Sequence, residues 1–188
     1  MTSLVGLAEV GQCWQVRQRF VTMRPMGTVL TLSEALRTRD KLRRSGQKLV
    51  FTNGHFDLLH VGHLDYLEKA RTLGGALYVG INDDVATAAL KGSGRPLIPA
   101  QERARLIAAL CCVDTVIIFE GLTAIDLISA LQPEIYVKGG DYHARTLPER
   151  ATVESYGGQV TLIDLVPEHS TSALIARIRA LPEPNHEP

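Results

Sequence analysis

Five short runs of apolar residues, each separated from the next by a segment of helical length, divide the chain. They cover residues 49–51, 76–81, 115–119, 135–137 and 160–163. Because these runs do not alternate with polar residues, they predict strands that are buried on both faces, and the helix-length connections predict parallel pairing. The pattern therefore predicts an α/β fold, a Rossmann-like three-layer sandwich around a doubly wound parallel sheet of about five strands.

The helical segments carry their own start and stop signals. Thr31 to Glu34 has the spacing of a capping box, and Gly46 stands where the helix that it opens should end. A second helical pattern runs through Leu64, Leu67 and Ala70. In a doubly wound sheet, ligands bind beyond the carboxyl ends of the strands, so the polar residues that follow each strand are the candidates for a functional site.

The two ends of the chain lack this regularity. Residues 1–26 show weak periodicity and are interpreted as an extension of uncertain structure. Residues 182–188 are rich in proline and polar side chains, which is typical of a frayed tail. The regular pattern in between predicts one domain over residues 27–181.

Composition excludes several classes of protein. The chain has 188 residues, is 45% hydrophobic, and carries 20 Lys+Arg against 20 Asp+Glu. A disordered chain would have fewer apolar residues and a charge imbalance, and a general nucleic-acid binder would carry a basic excess. No apolar run approaches the roughly 20 residues that span a bilayer. Three cysteines, Cys13, Cys111 and Cys112, make no disulfide framework, which predicts a cytoplasmic protein.

The segment from Asn53 to His63 has the most distinctive pattern. It follows the first predicted strand and leads into a helix, and His60 and His63 flank Gly62 at the helix start. Unpaired N–H groups and the helix dipole favour an anion at that place. Two imidazoles there can donate hydrogen bonds to phosphoryl oxygens, although two surface histidines in a loop are the simpler interpretation.

A cluster of basic residues follows the second strand. Lys91, Arg95, Arg103 and Arg105 lie close together in sequence, opposed by Glu102. A polyphosphate ligand on a protein without net charge needs such a local positive field. The alternative is a solvated loop and helix face, and Arg105 is the member that the pattern requires least.

Two further loops have both a structural and a functional interpretation. Three consecutive hydroxyl residues, Ser170 to Ser172, precede the last helix and could cap it or bind phosphate. The loop from Lys138 to Asp141 could be a plain turn or could approach a phosphorylated acceptor. Asp57 could hold its loop by backbone hydrogen bonds or face a metal.

Together these segments resemble the nucleotidyltransferase superfamily with the His-x-Gly-His sequence, the cytidylyltransferase-like enzymes, over about residues 27–179. The resemblance implies transfer of a nucleotidyl group from a triphosphate to a sugar phosphate, with release of pyrophosphate. It implies catalytic roles for His60, His63, Lys91 and Arg103. It implies nucleotide contacts by Asn53, Gly54, His55, Phe56, Gly62, Lys91, Arg103, Ser170, Thr171 and Ser172, and contacts to the acceptor by Asp57, Lys138, Gly139, Gly140 and Asp141.

Within the superfamily, the stretches Phe51 to Asp57 and Val137 to Tyr142 look most like the adenylyltransferases of ADP-heptose synthesis. That branch implies ATP and D-glycero-D-manno-heptose 1-phosphate as substrates, Mg²⁺ carried by ATP with Asp57 as a possible ligand, and a homodimer. His55 stands where the branch more often has a smaller residue such as cysteine. The alternatives are a cytidylyltransferase acting on glycerol 3-phosphate or another phosphorylated alcohol, and a non-catalytic nucleotide sensor.

Two patterns point elsewhere. His55, His60 and His63 are close together, but they lack the spacing of a structural zinc site. A basic stretch opposed by Asp40 could bind nucleic acid, and we interpret it instead as the solvated outer face of a helix; its members are Arg37, Arg39, Lys41, Arg43, Arg44 and Lys48.

Overall fold

A computed structural model of the chain describes residues 26–140, 147–164 and 170–182. The predicted extension, most of the predicted tail and the site residue Asp141 lie outside the described residues. Helices and strands alternate along the described chain, in the order β1 (Thr28–Val29), α1 (Leu32–Arg44), β2 (Leu49–Gly54), α2 (Val61–Arg71), β3 (Ala76–Asn82), α3 (Asp84–Lys91), α4 (Ala100–Ala108), β4 (Thr115–Phe119), α5 (Ile125–Leu131), β5 (Ile135–Gly139), α6 (Arg150–Ser155), β6 (Gln159–Ile163) and α7 (Thr171–Arg179).

The strands form one parallel sheet in the order β1-β4-β3-β2-β5-β6. The chain moves outward from β2 to β3 and β4, and then returns to place β5 on the other side of β2. The predicted doubly wound sheet is thereby confirmed, and its direction reverses between β2 and β5. The five predicted strands are β2 to β6. The sixth, β1, was not predicted because two residues are too short to show a pattern.

Helices cover both faces of the sheet, as the unbroken apolar strands predict. Neighbouring residues of β2 point to opposite sides, so that Val50 belongs to one apolar cluster and Phe51 to the other. The first cluster includes Leu67 of α2 and Ile107 of α4, and the second includes Ile128 of α5. These two clusters make the three layers of the sandwich.

Helix α1 confirms its predicted start and corrects the interpretation of its basic face. Thr31 and Glu34 form both bonds of a capping box. Arg39, however, is only 1% exposed, so the predicted solvated face is wrong at this residue. Its Nε donates to the carbonyl oxygen of Leu131 at 3.1 Å, and its guanidinium is paired with Glu134. The reason is that α1 packs beside the end of α5, where carbonyl groups without helical partners need donors.

None of the helices in residues 26–140, 147–164 and 170–182 is long and apolar enough to cross a bilayer.

Candidate active site

Two of the predicted site residues, Asn53 and Lys138, meet at the carboxyl ends of β2 and β5, where the sheet changes direction. Asn53, near the end of β2, accepts hydrogen bonds from the Tyr136 hydroxyl at 2.8 Å and from the Lys138 ammonium at 3.0 Å, both on β5. Burial lowers the pKa of Lys138, and the charge of Glu149 opposes that shift. The end of β2 and the predicted acceptor loop are thus joined through one amide.

The two histidines lie together at the start of α2. His60 is the N-cap residue but its side chain makes no capping bond, and the imidazoles of His60 and His63 stack with ring centroids 3.8 Å apart. Burial lowers the pKa of His63 to about 4, and the neighbouring His60 lowers it in the same direction. At neutral pH His63 is therefore an uncharged hydrogen-bond donor beside helix N–H groups that lack a side-chain cap.

Phe56 fixes the shape of the loop that leads to these histidines. Its φ of 46° is unusual for a residue with a side chain, and the ring is buried 5.2 Å from the centroid of the His63 ring. A Cβ at Gly54 would lie 2.9 Å from the Phe56 ring, so only glycine fits at that position without displacing the ring. The glycine at the end of β2 and the positive φ of Phe56 together aim the histidines at the sheet edge.

Asp57 connects this loop to the loop between α3 and α4, which carries Arg95. Its Oδ1 accepts from the backbone N–H groups of Leu97 at 2.8 Å and Ile98 at 3.0 Å, and its Oδ2 lies 2.6 Å from Nε of Arg95. Of the two alternatives raised by the sequence, the structure supports the one in which Asp57 holds backbone. Among the described residues no three His, Cys, Asp or Glu side chains are grouped as metal ligands. A role for Asp57 as a ligand of Mg²⁺ stays a prediction.

Arg103 differs most from its predicted placement. The sequence places it against the triphosphate, but its side chain is fully buried. The guanidinium donates to the carbonyl oxygens of His55, Ile98 and Asn82 and to the Asp84 carboxylate. Arg103 thus holds together the loops after β2 and β3 and the start of α4, and its contact with a nucleotide stays a prediction.

Lys91, at the end of α3, and His55, after β2, are two further residues predicted to contact the nucleotide. Lys91 ends α3 and is exposed. His55 is held by a 3.0 Å hydrogen bond between Nδ1 and the Thr87 hydroxyl oxygen. Burial lowers the pKa of His55 to about 4, assisted by the charges of Lys91, Arg103 and Lys138. Two of the four predicted cations, Lys91 and Arg103, therefore act on one imidazole, whereas Arg95 is paired with Asp57 and Arg105 is exposed on α4.

The hydroxyl residues at the start of α7 have two observed roles. Ser170 caps the helix by accepting from the backbone N–H of Ala173 at 3.1 Å. The Thr171 hydroxyl donates to the carbonyl oxygen of Leu58 at 3.3 Å, which brings α7 against the histidine loop. Ser172 is exposed. Capping accounts for Ser170, and phosphate binding by this segment stays a prediction.

Three residues of the site were missed by sequence reasoning. Thr87 lies within an alanine-rich helix, and Glu149 is buried close enough to influence Lys138. Tyr66 bonds to the Thr52 hydroxyl at 2.6 Å and to the carbonyl oxygen of Val137 at 3.1 Å, which ties α2 to β2 and β5. A polar atom at an apolar helix position was the available signal for Thr87 and Tyr66.

Comparison with known proteins agrees with this geometry. Residues 51–178 match the family described as cytidylyltransferase-like. The chain belongs to that family. The match begins in β2 and ends in α7, so it includes the described site residues.

The bifunctional protein HldE of Syntrophotalea carbinolica is 53% identical over 150 residues, which are 79% of this chain and 31% of that protein. The same protein of Methylobacillus flagellatus is 48% identical over 150 residues, with coverages of 80% and 31%. The chain therefore spans about a third of the length of these curated relatives.

Two solved structures share the fold. A lipopolysaccharide core biosynthesis protein from Thermoplasma volcanium has a TM-score of 0.54 at 24% identity, covering 64% of this chain and 98% of that one. Pantothenate synthetase from Thermus thermophilus has a TM-score of 0.54 at 16% identity, covering 75% and 62%. At these identities both show the fold alone.

Proposed function

We propose that the chain is an adenylyltransferase that transfers AMP from ATP to D-glycero-D-manno-heptose 1-phosphate, giving ADP-heptose and pyrophosphate. The observation that carries the proposal is the stacked pair His60 and His63 at a helix start without a side-chain cap. The same loop carries His55, on which the charges of Lys91, Arg103 and Lys138 act. Membership of the cytidylyltransferase-like family and similarity to the HldE proteins support the reaction class and the choice of acceptor.

The proposed chemistry is a displacement at the α-phosphorus. An oxygen of the sugar phosphate attacks that atom, a new P–O bond forms, and the bond to the bridging oxygen breaks so that pyrophosphate leaves. No protein nucleophile takes part. The imidazoles of His60 and His63 and the N–H groups at the start of α2 donate hydrogen bonds to the oxygens on which charge builds. Catalysis of this kind consists of positioning and electrostatic stabilisation.

The remaining site residues divide between the two substrates. Lys91 meets the β- and γ-phosphates, because it is exposed and its charge acts on His55 within the same loop cluster. Lys138 meets the acceptor phosphate, since it lies at the end of β5 and is held by Asn53. Gly139 and Gly140 follow it and leave room for the acceptor. Mg²⁺ enters with ATP and neutralises the phosphates, because Asp57 is already engaged with backbone N–H groups.

A histidine that is neutral before substrate binds, as His63 is, suits this reaction. An anion beside His63 favours its protonated form, so bound ATP raises the pKa of His63 from about 4. The imidazole then becomes a stronger donor as negative charge accumulates on the phosphoryl group.

Other features of the proposal rest on the family resemblance of the sequence and on its composition. We expect a cytoplasmic homodimer whose partners are small molecules rather than nucleic acid or membrane. The second candidate is transfer of CMP to glycerol 3-phosphate or another phosphorylated alcohol, which the name of the family favours.

A pyrophosphate-release assay tests these candidates. ATP and CTP are each combined with both anomers of the heptose 1-phosphate, with glycerol 3-phosphate and with other phosphorylated alcohols. We expect release only with ATP and one heptose 1-phosphate, and a drop of at least about 100-fold in His63→Ala, the usual effect of losing one such donor. Release with CTP would select the cytidylyl alternative. ATP binding without release for any acceptor would overturn the enzymatic proposal in favour of a nucleotide sensor.

A further inference from the structure

His55 is held at both its backbone and its side chain. Its carbonyl oxygen accepts from Nη1 of Arg103 on α4, and its imidazole Nδ1 lies 3.0 Å from the hydroxyl oxygen of Thr87 on α3. The residue therefore joins the loop after β2 to two helices. The second of these contacts depends on a nitrogen at the position of Nδ1, which a cysteine at this position would not supply.

The hydrogen bonds of Thr87 determine which nitrogen of His55 carries the proton. The Thr87 hydroxyl is 2.7 Å from the carbonyl oxygen of Asp83 and donates its single hydrogen there. Its oxygen can then only accept from Nδ1 of His55, so Nδ1 is protonated. Burial and the neighbouring cations keep the ring neutral by lowering its pKa to about 4, which leaves Nε2 without a proton. An unprotonated nitrogen cannot donate to a phosphate oxygen.

Thr87 and Lys91 occupy the same face of α3. They are four residues apart, and side chains at that spacing are neighbours on a helix surface. Lys91 is the last residue of α3, and Gly92 follows with a φ of 89° and no atom within 4 Å of a Cβ built on it. The N–H of Gly92 donates to the carbonyl oxygen of Ala88 at 2.9 Å and closes the last backbone turn, so side-chain support for this turn comes from the residues before Lys91. The bond from His55 to Thr87 lies one turn before the lysine and supports it.

We infer that His55 is a positioning residue, which acts through Thr87 to hold the last turn of α3 so that Lys91 faces the triphosphate. This inference rests on the proposed function, because it assigns Lys91 to the β- and γ-phosphates. It also differs from the expectation that His55 contacts the nucleotide itself.

A double-mutant cycle between Thr87 and Lys91 tests the inference, with ATP binding measured by calorimetry and KM and kcat measured for both substrates. Thr87→Val keeps the shape of the side chain and removes the oxygen that accepts from His55. We expect it to weaken ATP binding about 5- to 10-fold and to leave the KM for the sugar phosphate unchanged. In a Lys91→Ala background the same change should weaken ATP binding less than twofold, because its effect passes through the lysine.

Matched variants separate positioning from a structural role and from direct contact. Thr87→Ser keeps the hydroxyl and should restore the coupling with Lys91. His55→Cys breaks the bond from the other side and should reproduce Thr87→Val, which covers the case in which Thr87→Val does not fold. His55→Asn keeps a donor where Nδ1 stands and lacks Nε2, so it should keep most of the coupling.

The possible outcomes are distinct. Equal losses of ATP affinity with and without Lys91 would overturn the inference, as would full ATP affinity in Thr87→Val. Loss of binding in His55→Asn equal to that in His55→Cys would show direct contact through Nε2 instead. Absence of pyrophosphate release in the wild type overturns the proposed function alone, since the cycle is read from ATP binding.

Discussion

Replacing Arg103 by methionine should lower the free energy of unfolding, although the replaced charge is not exposed. The side chain is fully buried, and its guanidinium donates to three carbonyl oxygens and to the Asp84 carboxylate. Methionine has a similar length and no donors. The carbonyl oxygens of His55, Ile98 and Asn82, which lie in three segments of the chain, would lose the donor that Arg103 supplies.

The size of the effect follows from these contacts. Leaving a buried acceptor unpaired costs about 1–3 kcal/mol, and the lower end applies where water can enter. Asp84 is about half exposed and can be rehydrated, so its contribution is small. We therefore expect a loss of about 3–5 kcal/mol, a large part of the roughly 5–15 kcal/mol by which domains are stable.

Urea denaturation followed by circular dichroism measures this loss. With a slope of about 2 kcal/mol per molar urea, the midpoint of Arg103→Met should fall by about 2 M. Arg105→Met is the matched control, because Arg105 lies two residues further along the same helix and is exposed. Its midpoint should stay within about 0.3 M of the wild type.

One result would refute the reasoning. In that result, Arg103→Met unfolds at the wild-type urea concentration and fails to bind ATP. The guanidinium would then contact the triphosphate directly, and its contacts with the three carbonyl groups, the clamp, would not stabilise the fold. Loss of stability with ATP affinity reduced in proportion to the folded fraction supports the clamp.

Three further predictions concern other charged and titratable groups. The pKa of His63 is about 4 in the folded protein and about 6.5 in the unfolded chain, so the unfolded chain takes up the proton first as the pH falls. The melting temperature should therefore be highest above about pH 6.5 and fall towards about pH 4. The variant His63→Gln should show a smaller slope in scanning calorimetry. Asp57→Ala should lower the free energy of unfolding by about 3 kcal/mol and speed trypsin cleavage after Lys91, because two backbone N–H groups and the Arg95 guanidinium lose the buried carboxylate that they share; wild-type cleavage rates would count against this. Arg39→Met should cost about 3 kcal/mol in urea denaturation, whereas the exposed Arg37→Met should cost less than about 0.5 kcal/mol, and equal effects of the two would contradict the buried pairing of Arg39.

The hydrophobic pattern was sufficient to predict the sheet and its layers, because the central strands are apolar on both faces and each crossover between the predicted strands is long enough for a helix. The histidine pair could also be predicted, since its place between a strand and a helix follows from local sequence. The buried positions of Arg39 and Arg103 could not. Both are set by carbonyl groups from segments far away in sequence, such as Leu131 for Arg39 and Asn82 for Arg103. A single sequence carries no signal for which arginine on a basic helix will meet them.

The same limit applies to Asp57. Its two alternatives had equal support because a carboxylate after a glycine turn suits either backbone capping or a metal. The structure decides between them through Leu97 and Ile98, which follow some 40 residues later in the chain. The protonation state of His55 was equally out of reach, because it depends on the single hydrogen of Thr87.

The contacts of Asp57 with Arg95, Leu97 and Ile98 limit how the loop between α3 and α4 can move. From Arg95 onward, Asp57 holds the loop against the segment that carries His60 and His63, so these two segments form one body. Between that body and Lys91 lie only Gly92, Ser93 and Gly94, and both glycines adopt positive φ with empty space around them. A change in the conformation of this loop is therefore confined to these three residues, and a segment so short keeps the end of α3, with Lys91, close to Arg95.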